Sequence, residues 1–184
     1  MNADLVGLLE IENDGFAEQS AIADLVRGLN EKAGADLWAF VDFAMPQVGT
    51  DAITSAMIYR KDKVVQAGSA AVTTAVPFDY GNRALISQSF KLPQSAELLN
   101  FTVAHLRSKG SCPSDKADLA NIDSGDGQGC WNGVRLQAVQ AMHNWLAGYP
   151  TGVETDNSVI VGDFNAYMQE DPIRAMNDLS LIHI

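Results

Sequence analysis

Apolar residues recur along the chain in short runs that are separated by polar stretches. The continuous run LVGLLEI (5–11) predicts a strand that is covered on both faces, and ELLNFTVAHL (97–106) predicts a second deeply buried strand. LWAFV (37–41) and SVIV (158–161) predict two shorter strands. ALISQSFKL (84–92) alternates apolar and polar residues, which is typical of a strand with one face in water.

Two further strand patterns stand next to each other, AITSAMIYR (52–60) and KVVQAGSAAV (63–72). The polar pair Lys61 and Asp62 separates them, and such a short separation predicts an antiparallel hairpin, although the turn is not of a strong sequence type. The chain therefore has about seven predicted strands.

Helical spacing of apolar residues appears in two long segments. In residues 16–34 the stripe consists of Ile22, Leu25, Val26 and Leu29, and Gly34 ends it. In residues 131–150 it consists of Trp131, Val134, Ala138, Val139, Met142 and Trp145. Asp171 is predicted to cap a short third helix that has Pro172 in its first turn. Together the elements predict one α+β layered domain, in which two sheets packed face to face with outer helices use every element.

Composition limits the classes of protein to which the chain can belong. Its 184 residues and 47% apolar content suit one folded domain. The sequence has no run of eighteen apolar residues, so no membrane span is predicted. The net charge of −11, with only 12 Lys and Arg residues, argues against binding nucleic acid by bulk electrostatics, although a divalent cation could act locally. The abrupt start and end favour a domain that continues upstream and downstream.

The two cysteines, Cys112 and Cys130, flank a polar loop rich in Asp, Gly and Ser, within a long predicted surface loop over residues 107–129. We favour a disulfide, worth about 3 kcal/mol in the chain-entropy model, which implies an oxidising compartment. Two reduced thiols are the alternative. Four aspartates of the loop could bind calcium, although a plain solvated loop is the preferred interpretation: Asp115, Asp118, Asp123 and Asp126.

Candidate chemistry lies at the ends of three predicted strands. In VIVGDFNAY (159–167), Asp163 and Asn165 follow a buried strand; the simpler alternative is a turn in which they satisfy local amides. Glu10 and Glu12 are predicted to point to one face at the end of the first strand, unless both are merely solvated. His105 ends another buried strand, and three such ends together favour a catalytic site.

Five segments, in this order, resemble the endonuclease/exonuclease/phosphatase superfamily, the metal-dependent phosphodiesterases of the DNase I type: DLVGLLEIEN, AMIYRKDKV, NRALISQSF, FTVAHLRSKG and VIVGDFNAY. The resemblance implies a four-layer α/β/β/α sandwich of two packed mixed β-sheets flanked by helices. The segments SKGSCPSD (108–115) and SGDGQGCWNGVRLQA (124–138) are similar to extracellular bacterial nucleases.

The resemblance also implies roles for four residues at strand ends. Glu10 would bind Mg²⁺, with Mn²⁺ or Ca²⁺ as alternatives. His105 would stabilise and protonate the scissile phosphate, Asp163 would orient or deprotonate the attacking water, and Asn165 would be the amide beside it. Magnesium held by one or two carboxylates would neutralise the phosphate, and donors at His105 and Asn165 would bond the developing charge.

Further residues are expected to contact the substrate. By resemblance Arg83 would hold a substrate phosphate, and Tyr59, together with Arg60, would line the same cleft. The implied partner is a nucleic acid, DNA or RNA, with no membrane contact and no obligate protein partner. An extracellular or periplasmic location is implied as well.

The chain departs from the family pattern at both ends. An early asparagine on the first strand and a terminal aspartate–histidine pair are missing, and His183 does not stand in the setting of that pair. Residues 1–184 are therefore expected to be a single incomplete domain of low activity. Two alternatives to an extracellular nuclease stay open: an enzyme acting on lipid or inositol phosphates, and a non-catalytic module on a degenerate nuclease scaffold.

Overall fold

A computed structural model describes residues 3–179 of the chain, so His183 lies outside the described residues. In chain order the elements are β1 (Leu5–Glu12), α1 (Ala21–Ala33), β2 (Trp38–Phe40), β3 (Ile53–Arg60), β4 (Val65–Thr73), β5 (Leu85–Lys91), β6 (Leu98–His105), α2 (Asn132–Ala147), β7 (Ser158–Asp163) and α3 (Asp171–Asp178). Residues 3–179 thus contain the seven strands and three helices that the patterns predict. In this range no helix is long and apolar enough to cross a membrane.

The strands form two sheets that pack face to face. The three-stranded sheet has the order β1-β3-β2 and is antiparallel; the four-stranded sheet has the order β4-β5-β6-β7, in which only the β6/β7 pair is parallel. The core between the sheets includes Met57, Ile86, Phe90, Phe101 and Val103. Burial of these apolar faces provides most of the favourable free energy of folding.

Helices cover both outer faces. From α1, Ile22 and Val26 pack on Ala56 and Ile58 of β3. The second sheet is covered by α2 and α3 through Ala138, Val139, Met142, Ile173 and Met176. The predicted α/β/β/α sandwich of two packed sheets flanked by helices is therefore confirmed, and the four-stranded sheet is mixed.

The predicted hairpin between residues 52–60 and 63–72 is wrong. β3 and β4 lie in different sheets, and β4 pairs instead with β5. The turn between them is closed by the N–H groups of Lys63 and Val64, which donate to the carbonyl of Arg60. This turn carries the chain from one layer of the sandwich to the other, so short separation does not lead to pairing.

The predicted wet face of β5 is also wrong. Ser87, Gln88 and Ser89 are fully buried, because α2 covers the side on which the two serines lie. The hydroxyl of Ser87 donates to Asn100 Oδ1 over 3.0 Å, and the hydroxyls of Ser89 and Thr151 are 2.7 Å apart. Buried polar groups that satisfy one another give the same alternation as a solvated face.

Helix ends follow the local sequence, with one correction. Ser20 caps α1 through a hydrogen bond from the N–H of Ala23, and Gly34 ends it in the left-handed conformation at φ 65°. Asp171 is the first residue of α3 rather than its cap, which is Glu170. The carboxylate of Asp171 instead accepts a 2.8 Å hydrogen bond from Asn132 and so ties α3 to α2.

The predicted disulfide is present. Cys112 and Cys130 are bonded to each other, with their Cα atoms 5.3 Å apart. Between β6 and α2 the chain forms only turns and bends, in agreement with a long surface loop. The disulfide fixes the end of this loop next to the first residues of α2.

Candidate active site

The parallel pairing of β6 and β7 brings two of the predicted strand ends together. His105 and Asp163 are register partners at the last positions of the pair. Just beyond, the N–H of Leu106 donates to the carbonyl of Asp163 over 2.9 Å, and the side-chain amide of Asn165 donates to the carbonyl of Leu106 over 2.9 Å. These bonds fix His105, Asp163 and Asn165 at one edge of the sheet.

Backbone geometry explains the sequence of the GDFN segment. Gly162 has φ 151°, and a Cβ atom built there would be 1.8 Å from the carbonyl oxygen of Ala104, so only glycine allows β7 to approach β6 at this point. Asn165 has φ 47°, in the left-handed region that asparagine tolerates better than most residues. Its N–H donates to Asp163 Oδ1 over 2.8 Å. The simple turn expected as an alternative is therefore present, and it holds Asp163 and Asn165 next to the end of β6, where His105 lies.

A β-bulge in β1 separates the two glutamates. The register with β3 shifts between Leu8 and Ile11, and Glu10 has φ 58° inside the bulge. Glu10 consequently lines the same cleft as His105, whereas Glu12 lines a different depression, next to α1. The expectation that Glu10 and Glu12 point to one face is wrong, because the inserted residue breaks the two-residue alternation.

The cleft at the strand ends has a volume of about 540 Å³. Its wall includes Glu10, Arg83 and His105, three of the residues that the sequence singles out, and also Asp51 and Arg107. A cleft of this size is typical of sites that bind small ligands or part of a polymer.

Several charged side chains act on the imidazole of His105. Its side chain is only 7% exposed, and burial lowers the pKa of its imidazole below the ordinary value of 6.5. Arg83 lowers this pKa further, whereas Asp163, Glu10 and Asp51 raise it. His105 is therefore neutral at pH 7, and four charged groups lie close enough to act on one imidazole. Its Nδ1 atom is buried without a hydrogen-bond partner in the described part of the chain.

Arg83 is oriented towards the cleft by two contacts. Its backbone N–H donates to the carbonyl of His105 over 2.9 Å, and its guanidinium forms a 3.0 Å ion pair with Asp51. The sequence analysis missed Asp51 because it lies in an irregular loop between β2 and β3, where no periodicity marks a residue.

Tyr59 and Arg60 lie elsewhere, so their prediction as cleft residues is wrong. Tyr59 pairs with Leu5, at the opposite end of β1 from Glu10, and its ring packs on Phe90, 5.4 Å between centroids. Its hydroxyl accepts a 2.8 Å hydrogen bond from Gln66. Arg60 forms an ion pair with Asp62 in the turn that connects the two sheets.

The donor set suits Mg²⁺ better than a metal that needs a full protein cage. Among residues 3–179 no three His, Cys, Asp or Glu side chains converge as a metal site. Magnesium needs only one or two carboxylates and takes its other ligands from water and substrate phosphate. Glu10 is exposed at the cleft, and Asp51 lines the same cleft. The residues present therefore fit a magnesium ion that is shared with a bound phosphate.

The aspartates of the long loop accept hydrogen bonds from residues close to them in the sequence. Asp115, Asp123 and Asp126 each accept a hydrogen bond from a backbone N–H two residues further on. Asp118 accepts from the side-chain amide of Asn121. These are local turn contacts of the kind that aspartates make in surface loops.

Comparisons with known proteins identify the fold. No protein-family model matches the sequence, and neither does any curated protein. The human Nocturnin catalytic domain with bound sulfate anion is 15% identical, with a TM-score of 0.60 over 97% of this chain and 57% of that one. TDP2 of D. rerio, complexed with single-strand DNA product, is 15% identical, with a TM-score of 0.53 over 96% of this chain and 52% of that one.

An endonuclease/exonuclease/phosphatase family protein from Bacteroides thetaiotaomicron is 12% identical, with a TM-score of 0.58 over 96% of this chain and 55% of that one. This chain thus spans about half the length of the solved structures that it matches. At such low identity the similarity concerns the fold. The described residues have the fold of the endonuclease/exonuclease/phosphatase superfamily, as the sequence motifs predict.

Proposed function

We propose that this chain carries the catalytic face of a metal-dependent phosphodiesterase that hydrolyses nucleic acid, DNA or RNA, outside the cytoplasm. The observation that carries the proposal is that Glu10, Arg83 and His105 line one cleft in this fold and that Asp163 lies beside His105 at the end of the neighbouring strand. At the coarser level, the same observation supports a hydrolase of phosphoester bonds.

Each of these side chains can act on a phosphodiester. Arg83 binds the anionic phosphate, and the exposed carboxylate of Asp163 accepts a proton from the attacking water. His105 is held neutral, so it donates one hydrogen bond to a phosphate oxygen on which charge develops. Asn165 is fixed beside Asp163 by its bond to Leu106. Glu10 would hold a Mg²⁺ ion, or Mn²⁺ or Ca²⁺ in its place, and that ion would neutralise charge on the phosphate.

Substrate and location rest on indirect support. The TDP2 structure of the same fold is a complex with single-strand DNA product, and the Nocturnin domain holds sulfate, a tetrahedral anion of phosphate shape. The disulfide Cys112–Cys130 favours an oxidising compartment. These points favour an extracellular or periplasmic nuclease.

The test is a plasmid-nicking assay in Mg²⁺ on this chain and on the full-length product of its gene. Asp163→Ala and His105→Ala should each reduce nicking at least about 100-fold, the usual loss for an acid–base group. Asp24→Ala, which removes an exposed carboxylate on α1, is the matched control and should nick like wild type. Nicking at the wild-type rate by both cleft variants would end the proposal.

A further inference from the structure

Among the described residues, one cation of the cleft has no partner for its charge. The guanidinium of Arg107 stacks on the ring of Trp131, 3.7 Å from the centroid, and lies 5.7 Å from the ring centroid of Tyr80. Within residues 3–179 it forms no ion pair, and its Nε atom is buried without a hydrogen-bond partner. Trp131 therefore covers one face of the guanidinium, and within residues 3–179 the Nε–H at its edge has no acceptor.

The position of Arg107 is built by its neighbours. The indole N–H of Trp131 donates to the carbonyls of Gly110 and Ser111, over 3.0 and 3.1 Å, at the wall of the cleft. Trp131 follows Cys130, and Ser111 precedes Cys112, so the disulfide closes this arrangement. A surface side chain without function would not need such support.

Gly81 provides the space on the other side. It has φ 89°, and a Cβ atom there would be 2.3 Å from Nη1 of Arg107. The backbone N–H of Arg107 donates to Asn82 Oδ1 over 2.9 Å, which ties this wall of the cleft to the loop before β5. Trp131 and Gly81 thus fix the position of the guanidinium from two sides before any ligand binds.

An unpaired, partly buried guanidinium is costly unless an anion meets it. Arg83 has such a partner in Asp51, whereas Arg107 lines the same cleft without one. Planar guanidinium groups bind phosphate through two parallel N–H groups, which is the part of Arg107 that the rings leave free.

We propose that Arg107 is a second phosphate-binding residue, which binds a phosphodiester next to the one that is hydrolysed. The preferred substrate is then a polynucleotide several nucleotides long rather than an isolated phosphoester. This inference rests on the proposed function, and it makes Arg107 a residue that determines specificity rather than a catalytic one.

Two substrates separate the roles of the two arginines. Arg107→Ala should lower kcat/KM on a 12-nucleotide single strand about tenfold or more, mainly through KM, since one good charged contact is worth about a factor of ten. The same variant should hydrolyse bis(p-nitrophenyl) phosphate within about twofold of the wild-type rate. Arg83→Ala should impair both substrates. Arg27→Ala, on α1, is the control for the loss of one positive charge. An equal loss on both substrates, or no loss on either, would overturn the assignment of Arg107.

Binding tests Arg107 independently of turnover. We expect the Kd for a fluorescein-labelled 12-nucleotide strand, measured by anisotropy in EDTA, to rise about tenfold in Arg107→Ala and to stay unchanged in Arg27→Ala. The slope of log K against log salt should fall by about 0.7, the value for one phosphate contact on a single strand. A lower melting temperature with an unchanged slope would mean a purely structural role and would refute the inference. If wild type hydrolyses neither substrate, the proposed function fails, while this measurement still decides about Arg107.

Discussion

At the scale of single residues, the site depends on a few unusual backbone positions. Glu10 at φ 58° and Asn165 at φ 47° are both non-glycine residues in the left-handed region; Glu10 lines the cleft, and Asn165 is hydrogen-bonded to Leu106 in its wall. Such a conformation costs about 1–2 kcal/mol for an ordinary residue. Strain of this kind is often found at functional sites, where the surrounding structure maintains it.

Replacing Glu10 by glycine should therefore stabilise the fold while it removes the carboxylate proposed to bind magnesium. We expect Glu10→Gly to raise the free energy of unfolding by about 0.5–1 kcal/mol, after subtraction of the flexibility that glycine adds to the unfolded chain. Glu12→Gly, in the regular part of β1, should lower it by a similar amount. Urea denaturation measures both, and a less stable Glu10→Gly variant would contradict the argument.

The lowered pKa of His105 makes stability depend on pH in a defined direction. In the folded state, burial and Arg83 favour the neutral imidazole, whereas Asp163, Glu10 and Asp51 favour the protonated one. The first two effects prevail, so the pKa is lowered. The unfolded state therefore binds the proton more readily, and stability should fall as pH drops below about 6.5 towards the folded-state pKa.

The measurement is urea unfolding at several pH values between 7.5 and 5, together with an NMR titration of the imidazole. His105→Asn should lose less stability than wild type over this interval. A titration midpoint of His105 at or above its ordinary value would show that the carboxylates outweigh burial, and the predicted direction would then be wrong.

At the scale of elements, Arg135 connects the disulfide loop to the helical layer. It is fully buried on α2, within the stripe that otherwise carries apolar residues, and donates to the carbonyls of Arg107, Gln128 and Cys130. Burial lowers the pKa of Arg135, and the buried carboxylate of Glu170 opposes that shift. Helical periodicity predicts α2 correctly, but it does not reveal a charge in the core.

Arg135→Met should be strongly destabilising, because the carbonyls that Arg135 serves lose their donor and Glu170 loses a nearby cation. We expect a loss of about 3 kcal/mol, as for leaving buried polar groups without their hydrogen-bond partner. Arg174→Met, at an exposed position of α3, should change stability by less than about 0.5 kcal/mol. Equal urea midpoints for the two variants would contradict this role of Arg135.

At the scale of the whole molecule, one loop joins the cleft to the outer helices. The disulfide closes a separation of 18 residues, and on either side of it lie Trp131, which stacks on Arg107, and Gln128, which accepts from the N–H of Asp171 in α3. The same constraint therefore acts on the wall of the cleft and on the position of α3.

Removal of the disulfide should lower stability and disturb the cleft together. The double variant Cys112→Ser and Cys130→Ser should lose about 3 kcal/mol of unfolding free energy, the chain-entropy value for a loop of this size. Its affinity for a single-stranded oligonucleotide should fall at the same time, as anisotropy can measure. Dithiothreitol should reproduce both effects in wild type and change nothing in the variant; unchanged stability after reduction would contradict the prediction.

The sequence by itself determined the elements and the residues at their ends. Periodicity records which side of a segment is buried, so β1, β6, α1 and α2 were predictable. The strand that ends in His105 is buried as predicted, whereas the one that ends in GDFN is a partly exposed edge strand and not the buried strand that its apolar run predicts. The family motifs additionally predicted the order of the layers and identified Arg83 as a candidate site residue. The disulfide between the two cysteines was also predicted correctly.

Only the tertiary structure decided which segments meet. β3 and β4 are neighbours in sequence but belong to different sheets, and the bulge at Glu10 sends Glu12 to another surface. Asp51 and Arg107 join the cleft from loops that have no periodic signal. The physical reason is that the local pattern measures burial, whereas pairing, register and the partners of a charge depend on residues distant in sequence that fold against it.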